Sequence, residues 1–152
     1  MSLTVRTATL ADLPFVLDVQ KRAMSPAVIA QHGAWNDALQ RGNTNPGTIG
    51  SYDVIAWHGE AVGAQQVVFH ADHIAFERLY VAPEHQGQGI GAAVARRIFT
   101  EADRRGLPIR IKVLRANARA RAGYERAGFE VVQQTESHVF LERAVGVWGR
   151  DL

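Results

Sequence analysis

A strand-like segment runs into a glycine-rich turn near the middle of the chain. Leu79 to Pro83 is followed by Gln86-Gly87-Gln88-Gly89-Ile90-Gly91, after which apolar residues recur at helical spacing. N–H groups at a helix start attract anions, since the helix dipole places positive charge there. Glycines also lack the Cβ atoms that keep an anion away from the backbone. The segment therefore predicts a phosphate or pyrophosphate site, and a plain helix-start loop is the alternative.

The same glycines also fit a dinucleotide-binding fingerprint. Gly87, Gly89 and Ala92 match G-x-G-x-x-G/A. That fingerprint calls for an acidic residue near the end of the next strand and for enough chain to build a doubly wound sheet. The next strand ends in Val113-Leu114-Arg115 without an acid, and little chain follows. An NADP-type site is therefore the less favoured alternative.

A second segment places a phenol on a helix made otherwise of small and charged residues. Asn117, Ala120, Tyr124 and Gly128 share one helix face by their spacing. Asn117 suits the N-cap of that helix. From the spacing alone, Tyr124 is expected to be a half-buried core aromatic with its hydroxyl at the rim.

Together the two segments resemble the GNAT superfamily of acetyl-CoA-dependent N-acetyltransferases. Residues 86–91 match its pyrophosphate loop, Q/R-x-x-G-x-G/A, which follows an LYV-x-P strand end. Residues 117–129 match N-x-x-A-x-x-x-Y-x-x-x-G-F without a gap. The likeness spans roughly positions 5 to 143 and is sharp only from 79 to 92 and from 117 to 129. Gln86 replaces a frequent arginine, so cofactor binding is expected to depend more on backbone amides.

The resemblance implies a role for each matching residue. The loop amides hold the CoA pyrophosphate, the strand end and Asn117 contact the pantetheine arm, and Arg119 either reaches a CoA phosphate or is solvated. The Tyr124 hydroxyl, a phenol with an ordinary pKa of about 10, protonates the departing thiolate. The implied cofactor-binding residues are Leu79, Tyr80, Val81, Gln86, Gly87, Gln88, Gly89, Ile90, Gly91, Ala92, Asn117 and Arg119.

A general base is also needed, because an ammonium cannot attack a thioester. Residues 73, 75, 77, 79 and 81 point to one face of their strand, so Glu77, and with it His73, is the candidate on the acceptor side. The alternatives are a water chain as base and a surface Glu77 paired with an arginine. Trp35 either lines the acceptor pocket or lies in the core. The acceptor itself is a small amine, an amino-acid-like metabolite or a protein N-terminus.

The elements that position these residues follow from periodicity and turn chemistry. Two N-terminal helices are expected, from Thr9 or Asp12 to about Met24 and from Ala27 to Leu39. Three strands with short connections, then a helix and a further strand, predict a meander joined to a βαβ unit. The fold class is α+β, a mixed, mostly antiparallel sheet with helices on both faces. The resemblance adds a central parallel strand pair that splays apart and admits acetyl-CoA.

Composition fits a single domain over residues 1–152. The chain is 47% hydrophobic and 21% charged and contains no Cys, which excludes a cysteinyl intermediate, disulfides and a Cys-based zinc site. Neither a membrane span nor a secretory h-region is evident, so a cytoplasmic enzyme without a metal is expected. The partners expected are acetyl-CoA and an amine acceptor, with no nucleic acid and no membrane.

Two alternatives to an enzyme follow from the same sequence. One is a non-catalytic CoA-binding GNAT-like module. The other is nucleic-acid binding by the ten basic residues between positions 96 and 126, which also suit an anionic ligand or a solvated surface. The tail Val145–Arg150 carries an aromatic beyond the last strand, and this favours packing on a dimer mate.

Overall fold

The computed structural model describes residues 2–150 and 152. Short 3₁₀ turns at Leu10–Asp12, Ile49–Ser51 and Pro83–His85 connect several of the longer elements. The helices and strands, in chain order, are β1 (Leu3–Thr7), α1 (Leu13–His32), α2 (Asp37–Arg41), β2 (Asp53–Trp57), β3 (Glu60–Phe69), β4 (Ile74–Val81), α3 (Ile90–Arg105), β5 (Ile109–Leu114), α4 (Ala118–Ala127), β6 (Glu130–Gln134) and β7 (His138–Arg143).

The strands form one sheet in the order β1-β2-β3-β4-β5-β7-β6. β4 pairs with β5 in parallel, with Ile74 opposite Ile109 and Ala75 opposite Arg110. The pairs β1–β2, β2–β3, β5–β7 and β6–β7 are antiparallel. The α+β prediction is confirmed, and the doubly wound parallel sheet that a Rossmann fingerprint requires is not what these strands form.

The first of two compact units comprises Met1–Val67 and Arg78–Gly91. It contains β1, β2, most of β3, the end of β4, and the helices α1 and α2. Its core is a cluster of buried apolar side chains. The members are Ala8, Val16, Val19, Ile49, Tyr52, Val54, Ala64, Tyr80 and Ala82, with Leu13, Phe15, Ala23 and Met24 packed against them.

Helix α1 corrects the prediction of two helices divided near Met24. The helix runs without interruption through Pro26 to His32 and ends at Gly33, whose φ is 87°. Pro26 removes one backbone hydrogen bond, which normally favours a break. Half-buried Ala27 continues the inward-facing stripe that begins at buried Val16, so the amphipathic pattern of the helix extends past the proline. Residues 27–32 of the second predicted helix thus belong to α1, and only Asp37–Arg41 forms a separate helix.

The second unit comprises Val68–Glu77 and Ala92–Leu152. Apolar side chains from α3, β5 and β7 form its interior, because alternate strand residues and helical residues four apart turn inward. Those members are Val94, Ile98, Phe99, Ala102, Ile109, Ile111, Val113, Val139 and Leu141. Within residues 2–150 and 152, the helices are too short or too polar to cross a bilayer.

Candidate functional site

The glycine-rich loop forms the strand-to-helix connection that the sequence predicts. β4 ends at Val81, a 3₁₀ turn follows, and α3 begins at Ile90. Gly87 and Gly89 have φ values of 78° and 85°, a left-handed conformation that L side chains adopt only at a cost. The first N–H groups of an α-helix have no partner within the helix. The start of α3 therefore presents backbone N–H donors at this loop.

Two exposed glutamine side chains brace the loop. Gln86 donates from Nε2 to the backbone oxygen of Val81 at 3.0 Å, and Gln88 donates to the backbone oxygen of Glu84 at 3.4 Å. The first bond joins the loop to the end of β4. The predicted residues Leu79 to Val81 and Gln86 to Gly91 are therefore brought together in one unit.

The 3₁₀ turn before the loop is held by one ion pair and one histidine–carboxylate contact. Arg22 on α1 donates to the carboxylate of Glu84, and this hydrogen bond lowers the pKa of Glu84. His85 Nε2 lies 3.1 Å from Glu60 Oε2. All four side chains are outside the predicted site, and their effect is to fix the turn on which the loop is built.

The end of β4 lies unusually close to β3. A Cβ atom on Gly63 would lie 2.1 Å from the backbone oxygen of Tyr80, so only glycine fits there. Sequence reasoning missed Gly63, although an isolated glycine inside a strand pattern is a known signal of close backbone approach. Tyr80 itself is only 3% exposed, and burial raises the pKa of its phenol. Its side chain therefore belongs to the core, while its backbone lies at the strand end.

Glu77 and His73 lie apart on β4 and its preceding turn. Glu77 is exposed, and His73 lies one residue before the strand. The His73 ring stacks on His70 with centroids 4.4 Å apart, and its Nδ1 is 2.7 Å from Asp72 Oδ1. Four residues of extended chain separate the Glu77 and His73 backbones by roughly 13 Å. The two side chains therefore start from well-separated points of the chain.

Helix α4 presents the second predicted segment. Asn117 caps it by accepting a hydrogen bond from the Ala120 N–H at 3.2 Å, which confirms the expected N-cap. Gly128 ends it with a φ of 110°. The half-buried ring of Tyr124 meets Phe129 edge-on with centroids 5.4 Å apart, and desolvation raises its pKa to about 12. A phenol of this kind stays protonated at neutral pH and can donate a hydrogen bond.

The remaining predicted residues lie at helix ends. Arg119 is exposed in the first turn of α4, and Ala92 is half-buried in the first turn of α3. Trp35 is half-buried between α1 and α2, where its indole N–H donates to Asp37 at 2.9 Å. That hydrogen bond is the main cause that lowers the pKa of Asp37. Among the described residues, no group of three or more His, Asp or Glu side chains converges as a metal site.

The sequence and structure were compared with known proteins. The sequence model of the acetyltransferase (GNAT) family matches residues 17–129. No curated protein matches the chain in sequence. Similar folds include a PaiA N-acetyltransferase from Thermoplasma acidophilum in complex with coenzyme A, at 17% identity, a TM-score of 0.80, and coverage of 95% of this chain and 99% of that one.

Two further structures show the same fold. The ribosomal-protein-S18-alanine N-acetyltransferase from Escherichia coli has a TM-score of 0.68 at 20% identity, with 99% of each chain covered. An acetyltransferase from Thermus thermophilus has a TM-score of 0.72 at 21% identity, with 95% of this chain and 98% of that one covered. With the family match over residues 17–129, the chain belongs to the GNAT acetyltransferase family.

Proposed function

We propose that this acetyltransferase moves the acetyl group of acetyl-CoA to a primary amine by direct transfer in a ternary complex. The observation that carries the proposal is the loop Gln86–Gly91, with two left-handed glycines directly before a helix. Successive backbone N–H groups in such a turn form a concavity for a pyrophosphate. Family membership and the coenzyme A in one similar structure support the same ligand class.

The cofactor-binding roles follow the family resemblance. The amides of residues 86–91, with Ala92 behind them, bind the pyrophosphate, and Arg119 binds a phosphate. The backbone of Leu79 to Val81 and the side chain of Asn117 bind the pantetheine arm. The Ala82 N–H already donates to the Val62 oxygen at 2.8 Å, so we assign oxyanion stabilisation to the Val81 N–H.

The proposed chemistry balances with two proton transfers. The amine nitrogen forms a bond to the thioester carbonyl carbon, and the carbon–sulfur bond breaks. Tyr124 gives its phenol proton to the departing thiolate, and Glu77, directly or through water, takes the proton that the amine loses. The sequence contains no Cys, so no cysteinyl intermediate takes part.

The acceptor is a small amine, an amino-acid-like metabolite or a protein N-terminus, and we propose that Trp35 and His73 contact it. Because His73 is remote from Glu77 along β4, it contacts a part of the acceptor away from the reacting nitrogen. We further propose one catalytic domain over residues 1–152, active in the cytoplasm.

Isothermal titration with acetyl-CoA, run beside NADPH, tests the proposal. We expect a dissociation constant of about 1–100 μM for acetyl-CoA and no NADPH binding. Gly89→Ala, which strains the loop, is the matched variant and should lose affinity. No acetyl-CoA binding by the native chain would overturn the proposal. Binding without thiol release from any amine tested would identify a non-catalytic CoA-binding module.

A further inference from the structure

The C-terminal tail folds back on its own chain. Trp148 donates from Nε1 to Asp103 at 2.9 Å, and the Gly146 N–H donates to the same carboxylate at 2.8 Å. The Gly149 N–H donates to the backbone oxygen of Ala127 at 2.9 Å, at the end of α4. The aromatic that predicted a dimer contact therefore has its partners within one unit of the chain. Residues 146–149 are named the C-terminal latch below.

A buried arginine anchors the latch. Arg143 is 0% exposed and donates to both Asp103 oxygens, at 2.9 Å and 3.1 Å. It also donates from Nε to the backbone oxygen of Val147 at 2.6 Å. Its guanidinium lies 4.2 Å from the Phe99 ring centroid and 5.6 Å from that of Trp148. A buried charge is tolerated only when paired and hydrogen-bonded, so this contact set holds the tail in one position.

Ring contacts continue from the latch to Tyr124. Trp148 meets Phe99 edge-on with centroids 5.4 Å apart, and Phe99 lies 5.7 Å from Phe129. Phe129 in turn packs against Tyr124 at 5.4 Å, and its N–H donates to the Tyr124 backbone oxygen at 3.0 Å. The aromatic series Trp148–Phe99–Phe129–Tyr124 is thus continuous within the second unit.

The latch also fits closely against the end of α4. A Cβ atom on Gly128 would lie 2.8 Å from Val147 Cγ1. A Cβ atom on Gly149 would lie 2.0 Å from the backbone oxygen of Arg126. Neither glycine can be replaced without moving the latch or the last turn of the helix. Two independent contacts, one through rings and one through backbone, therefore connect the latch to the helix that carries Tyr124.

We propose that the C-terminal latch positions Tyr124, and that Trp148 is a positioning residue for acetyl transfer. The inference rests on the proposed function, in which the Tyr124 hydroxyl must lie beside the leaving sulfur. α4 is short, and its C-terminal turn accepts backbone hydrogen bonds from Phe129 and from Gly149 of the latch. A small displacement of a reacting group costs a large factor in rate, because catalysis requires near-attack geometry. Loss of the latch releases this turn while leaving the loop Gln86–Gly91 intact.

The test compares Trp148→Ala and Trp148→Phe with the native chain. Val145→Ala is the matched control, since Val145 is 46% exposed and lies just outside the latch. The readouts are the ¹³Cζ resonance of Tyr124 in tyrosine-labelled protein, assigned with Tyr124→Phe, the acetyl-CoA affinity, and kcat and KM for thiol release. We expect Trp148→Ala to shift the Tyr124 resonance and lower kcat at least tenfold, with acetyl-CoA affinity within twofold of native. Trp148→Phe, which keeps a ring, should show a smaller change, and Val145→Ala none.

An unshifted Tyr124 resonance and a native kcat in folded Trp148→Ala would overturn the positioning role, even with a lowered melting temperature. Should Trp148→Ala fail to fold, Trp148→Phe decides the same question by the same readouts. The resonance needs no ligand, so it tests the latch independently of the reaction. Absence of acetyl-CoA binding by the native chain would instead overturn the proposed function.

Discussion

The side-chain amide of Gln86 donates to the backbone oxygen of Val81 at 3.0 Å. The bond spans five residues and closes the glycine-rich loop onto the end of β4. At this position the family pattern accepts glutamine or arginine, and both side chains carry N–H donors. Glutamine and arginine can therefore both brace the loop at this position, and arginine adds a positive charge.

Replacing Gln86 separates the brace from the charge. Gln86→Ala removes the hydrogen bond to Val81, and such a bond is worth roughly 0.5–1.5 kcal/mol, so acetyl-CoA affinity should fall about 2- to 13-fold. Gln86→Arg keeps a donor and adds a charge, so affinity should be equal or higher, with a stronger dependence on salt. Calorimetry at two salt concentrations measures both effects. Native affinity in Gln86→Ala would exclude the bracing role.

Gly63→Ala should disturb the strand end that is proposed to bind pantetheine. The new methyl group would lie 2.1 Å from the Tyr80 backbone oxygen, which requires the two strands to separate. We expect a loss of about 1–3 kcal/mol in the free energy of unfolding and weaker acetyl-CoA binding. Gly50→Ala is the control, because a Cβ atom there meets nothing within 4 Å and the residue lies outside the proposed site. Urea unfolding measures the stability of both variants, and calorimetry measures their acetyl-CoA affinity. Equal losses in the two variants would contradict the prediction.

Tyr124→Phe removes the proposed acid and leaves the ring. Thiol release should slow by a factor of about 10²–10⁴, while acetyl-CoA affinity stays within twofold.

The Tyr124 hydroxyl also predicts a change in stability at alkaline pH, since its pKa of about 12 in the fold exceeds the ordinary value of 10.0. Its contribution to stability is full below pH 10 and is lost as the pH rises through 12. Part of the alkaline loss of stability should therefore be absent in Tyr124→Phe, and an unchanged turnover would remove the acid assignment.

Glu77→Gln tests the proposed base. The variant should lower kcat by a factor of about 10² near neutral pH, with recovery at higher pH as the free amine becomes abundant. Glu136→Gln, another exposed carboxylate in the same unit, is the control and should be silent. A full rate for Glu77→Gln across the pH range would assign proton removal to water.

The carboxylate of Asp103, which binds the latch, predicts a loss of stability in acid. Hydrogen bonds from Arg143, Gly146 and Trp148 lower the pKa of Asp103 from 3.8 to about 2. A lowered pKa contributes stability above the unfolded value, and that contribution is lost as the pH falls through 2. We expect urea unfolding to show a loss on the order of 1–2 kcal/mol between pH 4 and pH 2. In Asp103→Asn the part of this pH dependence that belongs to Asp103 should vanish, with lower stability throughout because Arg143 stays buried without its counter-ion.

Much of the local structure of this protein could be predicted from its sequence. Glycines in left-handed turns, the Asn117 cap and the alternation of strand residues act over a few neighbouring positions, so the loop, α4 and most strands were predicted with small shifts of their ends. The resemblance to the GNAT family rested on those same segments. The sequence also contains a signal for Gly63, because an isolated glycine in a strand indicates a close backbone approach. The signal does not identify the approaching atom, so the contact with Tyr80 was missed.

Tertiary packing decided the rest. Whether the first helix ends near Pro26 depends on what its far half can bury, and local propensity favoured a break that the core overrides. Trp148 lies 45 residues from Asp103 along the chain, and no periodicity or turn signal connects them. Residue types along the chain were enough to set backbone conformation and the chemistry that each segment carries. Which distant side chains meet was set only when the elements packed, because burial and ion pairing are properties of the space between elements.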